Sequence, residues 1–344
     1  GITSPELSVL MAYVKIDLTR DRASDEIVNE PWCQEILNKY FPSDLRVRYA
    51  DLMASHPLRK EIISTVMVND MVNRGGITYA WRAAEESGAG TSEILRAFVV
   101  SRDVFGLSQL WSDLENLDGK VSTDCQTELF LESRRLLDRA TRWFLQSRGG
   151  RLNVEEEIAK FAPTVAKLTN SIPGLLRGVE RERAEGIAKK YQAQGVPAEL
   201  AIRTGSFLDE FSLLDVIEIA NRQNSSPEVV AELYFALSER YDIDRMLFHI
   251  SALARDDRWT AYARSALRSD LYVALAALTS RVVQATKDSD SIDVRISQWE
   301  AKFAEGVART RATLNEIAHS EQNDLATLSV ALRAIRTLAG QGAS

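Results

Sequence analysis

His56, His249 and His319 are the residues to weigh first for chemistry, because a chain of 344 residues contains no other histidine. Glu316 and His319 stand three apart, the spacing by which helical bundles hold iron or manganese on one helix face. Such a site needs a second Glu-x-x-His pair and further carboxylates on facing helices, and this pair is alone in the sequence. His249, between Phe248 and Ile250, reads as a histidine satisfied within an apolar face. His56, just before Pro57, reads as a cap or turn residue at a helix start rather than a catalyst.

The acidic and glycine-rich motifs are equally incomplete. Asp256-Asp257 invites comparison with the aspartate pairs that hold magnesium diphosphate in helical prenyl-transfer enzymes. Here, however, Arg258, Trp259 and Thr260 follow instead of a third aspartate. The pair is better explained as the N-cap of a helix starting near Trp259, where carboxylates meet the positive end of the helix dipole. Glu155-Glu156-Glu157, after Asn153, has the same explanation. Arg181, Arg183, Lys189 and Lys190 read as a solvated face. Gly88-Ala89-Gly90 is the nearest approach to a dinucleotide-binding turn, but it lies between two helical patterns with no strand before it. With no Gly-Lys-Ser/Thr phosphate loop and no Cys/His cluster, the residues predict no catalytic, cofactor-binding or metal-binding set within this chain.

The elements that would position any site are helices. Ser4-Pro5-Glu6 is a helix start, and Leu7, Leu10, Met11, Val14 and Leu18 follow as an i, i+3, i+4 stripe. From Pro57, a second stripe runs through Leu58, Ile62, Ile63, Val66, Met67 and Met71, with Arg59, Lys60, Ser64 and Asp70 on the other side. Gly75-Gly76 ends that helix. Thr91 precedes the next, and the Val99-Val100 run within it reads as helix rather than strand. Ser122 or Thr123 starts a long helix through Leu129, Leu136, Leu137, Ala140 and Phe144, and Asn153 caps its successor. Ser225-Ser226-Pro227-Glu228 opens another, with Val229, Val230, Leu233, Tyr234 and Leu237 on one face. One long helix carries Leu267, Leu271, Leu275, Leu278 and Val282; a second carries Ile292, Ile296, Trp299, Phe303 and Leu314 near a heptad seam.

The predicted fold is all-α, a multi-helix bundle of two packed helical lobes with no Rossmann sheet. Gly149-Gly150-Arg151 marks the boundary, giving a first lobe over 1–148, a second over 153–338 and a flexible tail over 339–344. No fixed-period repeat stands out.

Composition bounds the function classes. Hydrophobic residues are 45% and charged residues 26%, which is globular rather than disordered. A formal charge of -7 opposes nonspecific nucleic-acid binding, which needs a basic footprint. The longest apolar run, Leu271 to Leu278, is far short of the roughly 18 residues that span a membrane. Two cysteines, Cys33 and Cys125, are too few for a disulfide framework, so a cytoplasmic protein with reduced thiols is expected, with no nucleic-acid or membrane partner. The opening Gly1-Ile2, running straight into a helix cap, reads as a piece of a longer polypeptide.

Several longer stretches carry a family resemblance. GITSPELSVLMAYVKIDL (1–18), Tyr40-Phe41-Pro42, HPLRKEIISTVMVNDMVNRGGITYAWR (56–82) and RAFVVSRDVFGLSQLWSDLENLD (96–118) occur in order. RATRWFLQSR (139–148), DDRWTAYARSALRSDL (256–271) and LSVALRAIRTL (328–338) complete the series. Together they resemble the C-terminal helical region of the large bacterial NAD-specific glutamate dehydrogenases, over nearly the whole chain. The resemblance implies a parent enzyme that oxidises L-glutamate to 2-oxoglutarate and ammonia with NAD+. The catalytic lysine and aspartate and the NAD-binding glycine turn would lie upstream, so no position here inherits those roles and this fragment alone would bind no cofactor. Expected partners are the catalytic and N-terminal regions of its own parent chain, in a homo-oligomer. His56, Arg59, Asn69, Asn73 and Arg74 are the candidate contacts with the catalytic core, since they place amide and cationic groups beside a strong apolar stripe. Two other readings compete: a stand-alone helical scaffold binding a protein in a groove between helices, and an independent helical enzyme with a dispersed site.

Overall fold

The structure is a computed structural model that describes residues 1–23, 26–148, 152–254, 256–320 and 323–340. Every regular element among the described residues is helical, as the patterning predicts. The chain forms two compact units, Gly1–Ala166 and Lys167–Ser344.

The first unit opens with α1 (Ser4–Ala23), a 3₁₀ turn (Glu26–Asn29) and the short helices α2 (Cys33–Tyr40), α3 (Ser43–Arg48) and α4 (Ala50–Ala54). Then come α5 (Arg59–Gly75), α6 (Tyr79–Ser87), α7 (Thr91–Val104), α8 (Leu107–Glu115), α9 (Thr123–Ser147) and α10 (Val154–Leu168), which runs across the division between the units. Its core is α7 packed on α9, with α5, α6 and α8 around them. α7 is apolar through Ile94, Leu95, Ala97, Phe98, Val99 and Val100, all buried, so it is surrounded rather than laid on a surface. Large apolar side chains of this kind contribute about 1.5–3 kcal/mol each on burial, which is why packing rather than helix propensity holds the unit together.

Caps fall where local chemistry puts them. The Ser122 hydroxyl accepts the Cys125 N–H at the start of α9, and the Asn153 side chain accepts the Glu156 N–H at the start of α10. Gly76 ends α5 at φ 93°, a backbone that an L side chain rarely adopts. The start of α7 differs from expectation: Gly90, not Thr91, is the cap, and the Glu93 carboxylate accepts its N–H at 2.8 Å. The buried face of α5 is also rotated from the predicted stripe. Ile63, Ser64, Met67, Val68, Met71 and Val72 are inside, while Leu58 is exposed and Ile62 and Val66 are half-buried. Neighbours on several sides of α5 make more than one stripe useful, so residue polarity alone misplaces Ser64.

The second unit contains α11 (Ile172–Leu175), α12 (Gly178–Ala193), α13 (Ala198–Glu210), α14 (Leu213–Gln223), α15 (Pro227–Arg240) and α16 (Ile243–Ala252). It ends with α17 (Arg258–Ala285), α18 (Ile292–Lys302), α19 (Ala304–Ser320) and α20 (Leu325–Gly340). Ser226 and Pro227 start α15 as expected, and this helix is the centre of the unit, buried from Leu233 through Ser238. α14, α16, α17 and α18 pack on it, α12 packs on α13, and α17 on α20. All five predicted positions of the α17 stripe are buried. The single helix expected from Ile292 to Leu314 is instead two, broken at Phe303. There the backbone turns to φ -118°, ψ 32°, and one N–H is shared by the Trp299 and Glu300 carbonyls. α20 includes Ala339 and Gly340, two residues of the expected tail; the rest of that tail, and the Gly149-Gly150-Arg151 boundary, lie outside the described residues.

Candidate functional site

The five residues expected at a contact with a catalytic core lie on or beside α5. His56 accepts the Leu58 N–H on Nδ1 at 3.1 Å, the turn role predicted for it, and its ring lies 5.6 Å from that of Phe41. Arg59 donates to the Val28 carbonyl and to Asn29 Oδ1, tying α5 to the 3₁₀ turn. Asn73 accepts from Lys15 Nζ at 2.7 Å, which fixes α1 against α5. Arg74 pairs with Glu115 at 2.8 Å and lies over the Trp111 ring. Asn69 is half-buried beside Asp70, whose carboxylate holds Arg102 at 2.7 Å. Three of the five therefore join elements of the first unit to one another.

α1 presents a surface that the sequence stripe did not anticipate. At about 100° per residue, Met11, Val14 and Leu18 share one side, and they are half-buried where α1 meets α5 and α7. Val9, Tyr13 and Ile16 fall within about 60° of arc on the opposite side and are 57%, 63% and 44% exposed. The helix thus carries apolar side chains on two sides; Met11, Val14 and Leu18 are half-buried, while Leu7 and Leu10 of the expected stripe are 42% exposed.

Glu316 and His319 are exposed, with His319 Nδ1 against the Asn315 carbonyl of its own helix, and no group of three metal-ligating side chains occurs among the described residues. His249 is not the core residue expected. It is half-buried at the edge of α16 beside exposed Phe248, and partial burial, with Arg245 nearby, lowers its pKa. Asp257 caps α17 as predicted, accepting the Trp259 and Thr260 N–H groups. Gly88 and Gly90 form the turn between α6 and α7. Both cysteines are buried and neither is in a disulfide; burial pushes the Cys33 thiol up to about 12, which keeps it a neutral packing group.

Ionisable chemistry concentrates instead where α12 meets α13, α15 and α16. Gly205 makes the α12–α13 crossing close: a Cβ there would lie 2.3 Å from the Ala184 carbonyl oxygen. Arg183, expected in solvent, reaches across to Asp209 Oδ2 at 2.5 Å and to the Gly205 carbonyl. Glu180 receives the Ser238 hydroxyl at 3.1 Å on Oε1, while its Oε2 has no hydrogen-bond partner among the described residues. Asp244 accepts the Val179 and Arg245 N–H groups. Burial, then the charges of Asp209 and Asp244, hold the Glu180 carboxyl well above the ordinary range. Glu210, with no exposed surface, is pushed up to about 7 by burial against the pull of Arg203, 3.3 Å away. These acids are closed off from solvent, and among the described residues no histidine is bonded to them, so they act on the unit's own stability rather than on a substrate. The signal of Asp209 and Glu210 in the sequence was acid inside a dense apolar run, SFLDEFSLLDVIEIA over 206–220, at a helix C-terminal end where the dipole does not favour it.

A groove of about 590 Å³ lies between α17 and α20, where Asp270 and Arg336 pair at 3.2 Å beside exposed Arg333. Ser329 and Thr337 donate their hydroxyls to carbonyls of their own helix, so the polar groups of the groove do not converge on one point.

Comparison with known proteins gives a match over residues 1–337 to the family model described as glutamate dehydrogenase, C-terminal. An NAD-specific glutamate dehydrogenase of Mycobacterium tuberculosis is 40% identical over 347 residues, covering 100% of this chain and 21% of that protein. Proteins of the same name from Pseudomonas aeruginosa and Halomonas elongata are 34% and 32% identical, each over 98% of this chain and 21% of their own length. The chain therefore spans about a fifth of the length of the curated relatives it matches.

Proposed function

The chain belongs to the glutamate dehydrogenase C-terminal family, and from that premise we propose that it is the helical C-terminal part of an NAD-dependent enzyme converting L-glutamate to 2-oxoglutarate and ammonium. In this reading hydride transfer and NAD+ binding belong to the remainder of the parent polypeptide, in the cytoplasm, and this part supports that remainder and its assembly into a homo-oligomer. The observation that carries the reading is full-length similarity to proteins about five times longer that bear the dehydrogenase name. The all-helical fold, and the lack of a converging polar constellation among the described residues, favour it over an independent helical enzyme.

The residues around α5 take a supporting role here. Asn73 and Arg74, bonded to Lys15 and Glu115, hold the surface that meets the rest of the parent chain; Arg59 does the same for the 3₁₀ turn. Full-length parent protein is expected to form NADH in the presence of glutamate, and the isolated chain to form none and to bind no NAD+ in a calorimeter. Turnover by the isolated chain would overturn the proposal. Replacing Asn73 and Arg74 together with alanine in the parent is expected to lower thermal stability; unchanged stability and kinetics remove their supporting role.

A further inference from the structure

α1 is apolar on two opposite sides, and a helix of that kind is normally enclosed by protein. Its inner side is fixed: Met11, Val14 and Leu18 face the first unit, and Lys15 is held by Asn73. The rotation of the helix is therefore set, and Val9, Tyr13 and Ile16 project outward at i, i+4 and i+7. Among the described residues, five of the 20 large apolar side chains left exposed lie on α1: Leu7, Val9, Leu10, Tyr13 and Ile16. Contiguous exposed apolar surface of this kind marks an interaction site.

We propose that the Val9–Tyr13–Ile16 stripe of α1 is a docking face for the portion of the parent polypeptide that precedes Gly1. The proposal rests on the functional reading above and adds to it the surface and its occupant. Relatives matched along this whole chain are about five times longer, and the family model describes a C-terminal part, which puts the missing portion on the α1 side. The size of the stripe favours the same occupant. Three half-exposed side chains offer on the order of a few hundred Å², below the roughly 800 Å² that each partner buries in a stable complex between separate molecules. Docking within one polypeptide does not meet the translational and rotational cost of association, so a face of this size suffices. A second copy of the chain would need a larger patch.

The test uses full-length parent protein. Tyr13→Cys is introduced, with Val330→Cys on α20 as an exposed reference, and maleimide labelling is followed under native conditions. Tyr13→Cys is expected to label at least about tenfold more slowly than the reference; equal rates overturn the proposal. Should that variant fail to fold, Tyr13 is exchanged for benzoylphenylalanine, which keeps an aromatic ring, and photo-crosslinks are mapped by mass spectrometry on mixed light and heavy protein. Crosslinks to sequence preceding Gly1 in the same chain support the proposal. Crosslinks joining light to heavy chains, or none at all, overturn it. Glutamate-dependent NADH formation is measured on the same preparation: its absence sinks the functional reading, whereas activity with a freely labelled α1 sinks only the docking face.

Discussion

Two buried polar regions, the α7–α9 core of the first unit and the α12–α13 crossing of the second, are satisfied in different ways. In the first, the Tyr79 hydroxyl meets Thr141 Oγ1 at 2.6 Å, Thr141 donates to Ser101, and Ser101 donates to the Ala97 carbonyl. Trp111 Nε1 reaches Ser133 in the same core. Each of these groups is neutral, and burial raises the Tyr79 pKa further from any working pH. At and beside the α12–α13 crossing, Glu180, Asp209, Glu210 and Asp244 stand against Arg183 and Arg203. A hydroxyl chain satisfies itself at any ordinary pH; a carboxylate cluster with more acids than bases is satisfied only while some acids keep their protons. The difference teaches that similar helical packing can be indifferent to pH around the Tyr79–Thr141–Ser101 chain and sensitive at the α12–α13 crossing.

The largest expected effect tests that contrast directly. Glu210 keeps its proton in the folded unit to about pH 7, whereas an unfolded glutamate releases it near 4.5. Between those values the folded state binds more protons than the unfolded state, so stability falls as pH rises. A shift of that size corresponds to roughly 3 kcal/mol lost by pH 8 relative to pH 5, and Glu180 and Asp244 act in the same direction. Amide exchange should therefore show α13 opening more readily at pH 8, while α7 and α9 change little. In Glu210→Gln the α13 slope should flatten; an unaltered slope means another group titrates.

Next in size is the α12–α13 crossing. Gly205→Ala sets a Cβ against the Ala184 carbonyl oxygen, a backbone atom that cannot move alone. The expected cost is about 1–3 kcal/mol, part of the clash being offset by alanine's better helix propensity. Spreading the helices also admits water to Asp209 and Glu180, so the variant should lose pH sensitivity along with stability. Loss of stability with the pH slope intact would separate the crossing from the cluster. In the first unit Tyr79→Phe should cost about 1–1.5 kcal/mol, since Thr141 retains Ser101 as a partner. That cost should be the same at pH 5 and pH 8 by denaturant titration. A pH-dependent cost would break the contrast between the units.

What could be read in advance was mostly local. Ser122, Asn153 and Asp257 start helices because a side chain accepts the first free N–H groups, and Pro227 because it has no N–H to leave free and its φ is fixed, effects spanning a few residues. The α17 stripe was legible because one long period repeats through it. The break at Phe303 was not, since no glycine or proline marks it. Arg183 looked like one more surface cation until α13 was placed beside it, and Ser64 looked solvated although several helices enclose α5. α1 and α15 show the same limit from two sides. Both are apolar beyond a single stripe, yet α15 is enclosed by its own unit and α1 leaves Val9, Tyr13 and Ile16 outside. Periodicity shows which faces want cover, not what supplies it. The site expectations at His56, Arg59, Asn69, Asn73 and Arg74 came from polarity beside an apolar stripe, and that signal also marks residues that tie neighbouring helices together.

The smallest expected effect probes the charge state of Glu180 itself. Ser238→Ala removes the hydroxyl that donates to Glu180 Oε1 at 3.1 Å. A donor to an ionised buried carboxylate contributes about 1.5–3 kcal/mol, whereas one to a neutral acid contributes about 0.5–1.5. Because burial and the neighbouring aspartates keep Glu180 protonated, the variant should lie near 0.5–1 kcal/mol at pH 5, less than Tyr79→Phe despite comparable burial. The Ser238 hydroxyl bonds better to the charged form, so its removal should raise the Glu180 pKa further and enlarge the cost as pH climbs toward 8. A cost above about 2 kcal/mol already at pH 5 would mean that Glu180 is ionised and that Arg183 serves both it and Asp209. The pH sensitivity of the second unit would then rest on Glu210 and Asp244.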